Sequence, residues 1–293
     1  MINDMPQVIS FSGGRTSAYL CARLLEVFPR EQLHFVFMDT GAEHAKTYEF
    51  IRNVDAHFGL RLTCLRADSS LPLGVGVRPV VVPINDIGSD LKPFQAFCGK
   101  YGTPTAKTPG CTSRMKERIY MKWGNAAFGR RQWVSWIGIR ADEPKRLRRM
   151  GETALWRFLA EIDDADKADV LEFWRGMPFD LEIPEHLGNC VFCVKKSTAK
   201  LALAARDEPK MAEAWEAMIN AAPHRAKPPG FLPTEIYRSK RTFRQVLAEY
   251  ADVPTEVLRS RIRSLRNDAN TCSESCEVFV SGPQLSMPWG DSA

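Results

Sequence analysis

The chain has 293 residues, of which 44% are hydrophobic and 26% charged, enough apolar material for a full core and too ordinary a balance for a largely disordered protein. No apolar run approaches the roughly 20 residues that span a bilayer, and the opening Met-Ile-Asn-Asp-Met-Pro has no basic stretch leading into an apolar one, so a soluble cytoplasmic protein is expected. A formal charge of +5 suits anionic ligands such as nucleotides without demanding a nucleic acid.

The first element read along the chain is a buried strand at 7–12, which breaks at Ser12-Gly13-Gly14 and resumes with helical spacing. A strand, a glycine turn and a helix N-terminus make an anion site: glycine lets backbone approach a phosphate, and the first helical N–H groups point at it with the positive end of the dipole. Ser12, Thr16 and Ser17 add hydroxyls and Arg15 a charge. Neither Gly-x-x-x-x-Gly-Lys-[Ser/Thr] nor Gly-x-Gly-x-x-Gly is present, which excludes the usual triphosphate and dinucleotide loops; a packing role for the glycine pair is the competing reading.

A second strand at 33–38 ends in Asp39-Thr40-Gly41-Ala42-Glu43, ahead of a helix over 44–58 closed by Gly59. Ligands of open parallel sheets bind at the carboxyl ends of the strands, so these two polar tips are expected to share one crevice, although capping of the next helix would also explain Asp39. Further strands are predicted at 60–66 and 131–139 and a helix at 112–127. Residues 68–110 form a Pro- and Gly-rich excursion holding an edge strand or hairpin near Val75–Ile84. Helices at 153–162, 165–175, 197–206, 209–222, 241–250 and 254–266 follow. The pattern specifies an α/β protein, a parallel sheet with helices on both faces of Rossmann-like type, followed by a mainly helical C-terminal region. Domain bounds are drawn at 1–200 and 201–293. Trp133, Trp136, Trp156, Trp174 and Phe179 lie in apolar patterns and are assigned to the core. Arg259, Arg261, Arg263 and Arg266 suit either a solvated helix face or a polynucleotide contact.

Eight cysteines in such a chain point to metal or redox chemistry. Cys190-Val-Phe-Cys193 follows a Gly-Asn turn, while Cys98 and Cys111 bracket a Gly/Pro/Thr/Lys loop. Together they supply four thiolates, enough for a [4Fe–4S] cluster or, alternatively, a tetrahedral zinc. Cys21 and Cys64 fall within apolar patterns and are assigned to the core. Cys272 and Cys276 sit in a polar tail, as catalytic thiols or as an exposed pair without duty.

Ser12-Gly13-Gly14, followed by Asp39-Thr40-Gly41-x-Glu43-x-x-x-Thr47 and by Gly138-Ile-Arg140-Ala-Asp-Glu143-Pro-Lys145-Arg146, resembles the phosphoadenosine phosphosulfate reductase family of the PP-loop group, with Pro144 where a serine is usual. The resemblance spans about the first two thirds of the chain. It implies an adenine nucleotide on Ser12–Ser17 and Asp39–Glu43, and sulfur transfer or reduction with Arg140, Lys145 and Arg146 neutralising phosphate or sulfate charge. It also implies an iron–sulfur site at Cys111, in Cys111-Thr-Ser-Arg114-Met-Lys116, and at Cys190 and Cys193, with Cys98 standing in for an absent adjacent cysteine. A reactive tail cysteine discharged by a thioredoxin-type partner would fall to Cys272 or Cys276, though the Gly and His of the family's tail segment are missing. The alternative within the same group is an ATP pyrophosphatase that adenylates a nucleic acid or small molecule for sulfur or nitrogen insertion, with magnesium on Asp39. A third reading is a nucleotide- or nucleic-acid-binding module without catalysis, favoured by Arg15 where ATP-cleaving relatives show Asp or Lys-Asp.

Overall fold

The computed structural model describes residues 2–150, 155–223 and 232–264. Its centre is a six-stranded sheet built from β1 (Gln7–Phe11), β2 (Leu33–Met38), β3 (Thr63–Asp68), β4 (Arg78–Val82), β5 (Val134–Ile137) and β6 (Trp156–Phe158), in the order β4-β3-β2-β1-β5-β6. All neighbours run parallel except β3 and β4, which pair antiparallel from Cys64↔Val82 to Asp68↔Arg78. β1 is buried at every residue, as expected of a strand covered on both faces, and for that reason it reads as an apolar run without alternation.

The pleat divides the core in two. Ile9, Phe35, Phe37, Cys64, Val134 and Trp136 face one cluster, closed by α1 (Arg15–Val27), α2 (Ala45–Phe58) and α6 (Lys167–Arg175). Val8, Val36, Met38, Leu65 and Ile137 face the other, closed by α3 (Lys92–Tyr101), α4 (Arg118–Phe128), α7 (Thr198–Asp207), α8 (Pro209–Ala221) and α9 (Phe243–Ala248). Leu201, Trp215, Tyr237 and Phe243 therefore share a core with Val8 and Val36, on both sides of residue 200. Two further helices, α5 (Pro144–Met150) and α10 (Thr255–Ser264), complete the described elements.

Two local expectations change. The helix predicted over 153–162 is instead β6, paired Ser135↔Trp156 to Ile137↔Phe158, followed by a short 3-10 turn at Leu159–Glu161; its first two residues lie outside the described range. Three residues beside an already buried strand gain a ladder that the local periodicity does not announce. Cys98 lies within α3 rather than at the edge of a structureless loop, and the helix predicted over 112–127 opens as a six-residue π-helical turn, Thr112–Glu117, before α4 begins. Cys21 and Cys64 are fully buried, as assigned, and burial pushes the Cys64 thiol up to about 12. Trp133, Trp136 and Trp174 are core residues, while Trp156 and Phe179 are half-buried against it.

Strand order fixes where a ligand can sit. From β1 the chain moves outward to β2 and β3, then returns to lay β5 on the other side of β1, so the connections diverge at the carboxyl end of β1. Trp174 couples that point to the core: its ring packs edge-on to Phe50 (4.9 Å) and Phe173 (5.3 Å), and its indole N–H donates to the Arg15 carbonyl at 3.1 Å. Replacing Trp174 with Ala is expected to cost about 3–5 kcal/mol, read as a lowered urea midpoint with an unchanged slope.

Candidate functional site

β1 ends at Ser12, and the turn to α1 passes through Gly13 at φ +80°, a conformation open to glycine; a Cβ there would come within 2.9 Å of Ile51 Cδ1. Gly14 caps α1 in extended conformation with no side-chain cap bond, which leaves the first N–H groups of the helix directed out of the turn. Ser17 stiffens the loop: its Oγ donates to Gly14 O (2.9 Å), accepts from Ser12 N–H (3.1 Å) and lies 2.9 Å from Ser12 Oγ. On the β5 side Gly138 presses against α1, where a Cβ would stand 3.1 Å from Ser17 Cα.

Arg140 follows from that close approach. It is 6% exposed and donates to Thr16 Oγ1 (3.1 Å) and to Asp142 (2.8 and 3.2 Å), with Glu143 3.8 Å away. Glu143 also accepts from Arg146 at 2.7 Å, while Lys145 is exposed on α5. Arg15 turns away from the turn itself: its guanidinium makes two bonds to Asp180 (2.6 and 2.9 Å) and a third to the Leu181 carbonyl. Asp180 opens a strap whose residues Leu181, Ile183, Pro184, Glu185, Gly188 and Asn189 form one wall of a cavity; Ser12, Gly13, Gly14, Arg15 and Thr47 form the other.

Asp39 and Glu43 are the buried acids of the site, at 0% and 2% exposure. Asp39 accepts from Gly41 N–H (2.9 Å), Tyr48 O–H (2.8 Å) and Arg66 Nε (2.7 Å). Burial and the neighbouring Glu43 charge raise its pKa, against the pull of those three donors. Glu43 accepts from Thr40 Oγ1 (2.7 Å) and Tyr48 O–H (3.0 Å) on one oxygen; the other lies 3.5 Å from Lys116 Nζ and 3.6 Å from Cys190 Sγ. Asp39 thus braces the tip of β2, so the capping role weighed for it does not apply; α2 is capped by His44, which accepts from Lys46 N–H. Tyr48, Arg66 and Asp180 were not among the predicted site residues. Tyr48 lies on the inward face of α2 beside Thr47, a legible signal; Arg66 and Asp180 have none in their local sequence.

Cys190 follows the strap directly. A β-bridge pairs it with Glu43, and Val191 N–H donates to Ala42 O at 2.9 Å. Cys98 and Cys190 are buried in one core cluster, with Cys111 and Cys193 packed against it. Among the described residues, however, no three His, Cys, Asp or Glu side chains gather at metal-holding spacing. The four cysteines expected to hold iron–sulfur or zinc therefore do not fit such a group as arranged, and no chemistry is derived through one. Cys272 and Cys276 lie outside the described residues.

A phosphate turn at the tip of β1, with a braced acidic loop at the tip of β2, defines an α/β protein of the PP-loop type. A family model for the phosphoadenosine phosphosulfate reductase domain matches residues 6–74, the span that carries both tips. The chain is also 41% identical over 299 residues to the "Uncharacterized nin region protein ORF290" of Escherichia phage lambda, covering 99% of this chain and 100% of that protein. The chain belongs to the phosphoadenosine phosphosulfate reductase family. No described helix is long and apolar enough to cross a membrane.

The strap is tied down behind the site by His186, which is 4% exposed and lies 2.7 Å from Asp207, itself bonded to Arg259 at 2.8 Å. Burial lowers the His186 pKa, helped by Lys196 and Arg259 and opposed by Asp207. A base whose folded pKa is depressed contributes stability that is present above its unfolded value, about 6.5, and lost as pH falls through the folded one. Urea unfolding is therefore expected to show stability falling as pH drops below about 6.5, with a shallower slope in His186→Gln.

Proposed function

We propose that the chain is an adenine-nucleotide-dependent enzyme of sulfur transfer or reduction, acting on a sulfonucleotide such as phosphoadenosine phosphosulfate in the cleft between Ser12–Ser17 and the strap. One observation carries this reading: Gly188 and Asn189 line the same cavity as Ser12, Gly13 and Gly14, and the residue that follows them is Cys190. A sulfur-bearing pair thus adjoins the wall of a phosphate cradle.

Each residue has a role that its surroundings support. The N–H groups at the start of α1, with Ser12, Thr16 and Ser17, receive a phosphate. Arg140, oriented by Asp142 and Glu143 against Thr16, supplies the fixed positive charge that a leaving phosphate or sulfate needs in a site shielded from water. Lys145 and Arg146 extend that charge outward along α5. Asp39, Thr40, Gly41 and Glu43 hold the opposite lip. Arg15 is positioned to exchange Asp180 for a ligand phosphate. A thioredoxin-type dithiol is the reductant class such a reaction calls for, and Cys272 and Cys276 are the tail thiols that would compete for the same step.

The ATP-cleaving alternative, with a nucleic acid or small molecule as acceptor, asks Asp39 to hold magnesium. Both carboxylate oxygens of Asp39 are already engaged and the residue is fully buried, so the sulfonucleotide reading is the better supported. Incubation with phosphoadenosine phosphosulfate and a dithiol is expected to release sulfite, and Arg140→Ala to weaken nucleotide binding roughly tenfold or more by calorimetry. Pyrophosphate release from ATP without sulfite would overturn the assignment in favour of the ATP reading. Affinity without turnover of either nucleotide would favour the binding module.

A further inference from the structure

We infer that Cys190 and Cys193 form a redox-active dithiol that reduces external disulfides, with Cys193 as the entry thiol, Cys190 as its buried partner and Glu43 as the acceptor of the Cys190 proton. This goes beyond the proposed function and does not depend on which nucleotide, if any, occupies the cleft.

The two residues are the ends of one tight turn, closed by a bond from Cys193 N–H to Cys190 O at 3.1 Å. The ends of such a turn stand less than about 7 Å apart at Cα, within the span that a disulfide bridges. The turn is held rigid on every side. Val191 N–H donates to Ala42 O (2.9 Å), Lys196 Nζ donates to Val191 O (2.9 Å), and Tyr237 O–H donates to Phe192 O (3.1 Å). The two thiols have unlike environments: Cys193 is half-buried, whereas Cys190 is 9% exposed, with its Sγ 3.6 Å from Glu43 Oε1 and 3.7 Å from Thr40 Oγ1. A Cys-x-x-Cys turn beside a parallel sheet, with a buried carboxylate against its inner thiol, is built for thiol–disulfide exchange.

The exchange balances as follows. The Cys193 thiolate attacks one sulfur of an external disulfide, whose S–S bond breaks with its electron pair leaving on the first released thiolate. Cys190 then gives its proton to Glu43, and its sulfur attacks Cys193 Sγ. The mixed disulfide breaks, the second thiolate leaves, and the proton on Glu43 passes to it. One external disulfide is reduced to two thiols by two electrons from the protein, which is left with a Cys190–Cys193 disulfide.

Glutathione disulfide is the probe, applied to the full reduced chain and followed by alkylation and mass spectrometry. The wild type is expected to gain a single Cys190–Cys193 disulfide, reversed by dithiothreitol. Cys190→Ser is expected to stop at a glutathione adduct on Cys193. In Glu43→Gln that adduct should resolve on the order of a hundredfold more slowly, while alkylation of Cys193 in the reduced protein proceeds at the wild-type rate. Oxidised wild-type protein in which Cys190 and Cys193 stay unlinked, or pair with other cysteines, would overturn the inference, as would stoichiometric iron or zinc that shields both thiols from glutathione disulfide. Equal resolution rates in Glu43→Gln and wild type would remove Glu43 from it.

Discussion

Two buried carboxylates, Asp39 and Glu43, share the hydroxyl of Tyr48, with Arg66 on the far side of one and Lys116 on the far side of the other. Such an arrangement persists in a protein interior when its charges are matched and its oxygens hydrogen-bonded, and removing a single partner from a pair of this kind costs about 3–5 kcal/mol. The consequence here is positional. The tip of β2, the inner face of α2, the end of β3, the π-helical turn before α4 and the Cys190 turn are all tied to these two side chains. That places the sulfur-bearing segment against the acidic loop and, through Gly188 and Asn189, against the phosphate turn at the tip of β1.

The cleft therefore has two electrostatic halves. Around the start of α1 the helix dipole, the uncapped first turn and Arg140 favour an anion. Around Glu43 the field is negative and compensated, suited to taking a proton from a neighbouring thiol rather than to holding another anion. A ligand that carries phosphate at one end and a reducible sulfur at the other fits the order in which these halves occur along the cleft, which is the physical content of the assignment.

Much of this was legible in the sequence, for identifiable reasons. The parallel strands are buried on both faces, so they stand out as apolar runs, and Gly13 and Gly41 mark the tips where those runs stop. Residues at 153–162 read as a helix because Leu155, Leu159 and Ile162 recur at helical spacing, whereas pairing with β5 decides their conformation. The bonds that shape the site are long-range: Arg15 and Asp180 are 165 positions apart, and Glu43 and Cys190 are 147. No local pattern encodes such a pairing, so Arg15 reads as a phosphate ligand and Cys190 as a metal ligand until the strap is seen between them. Asp39 was identified as a site residue from its place at a strand tip, but its part in bracing that tip depends on Tyr48 and Arg66, which only the fold brings to it.

The most direct test of the account is a crystal structure of the chain with a bound adenosine phosphosulfate. The account predicts a ligand phosphate on the N–H groups that follow Gly14, beside Arg140, with the sulfonate directed toward Gly188 and Cys190. Phosphate density anywhere other than the turn between β1 and α1, for example along the arginines of α10, would contradict it.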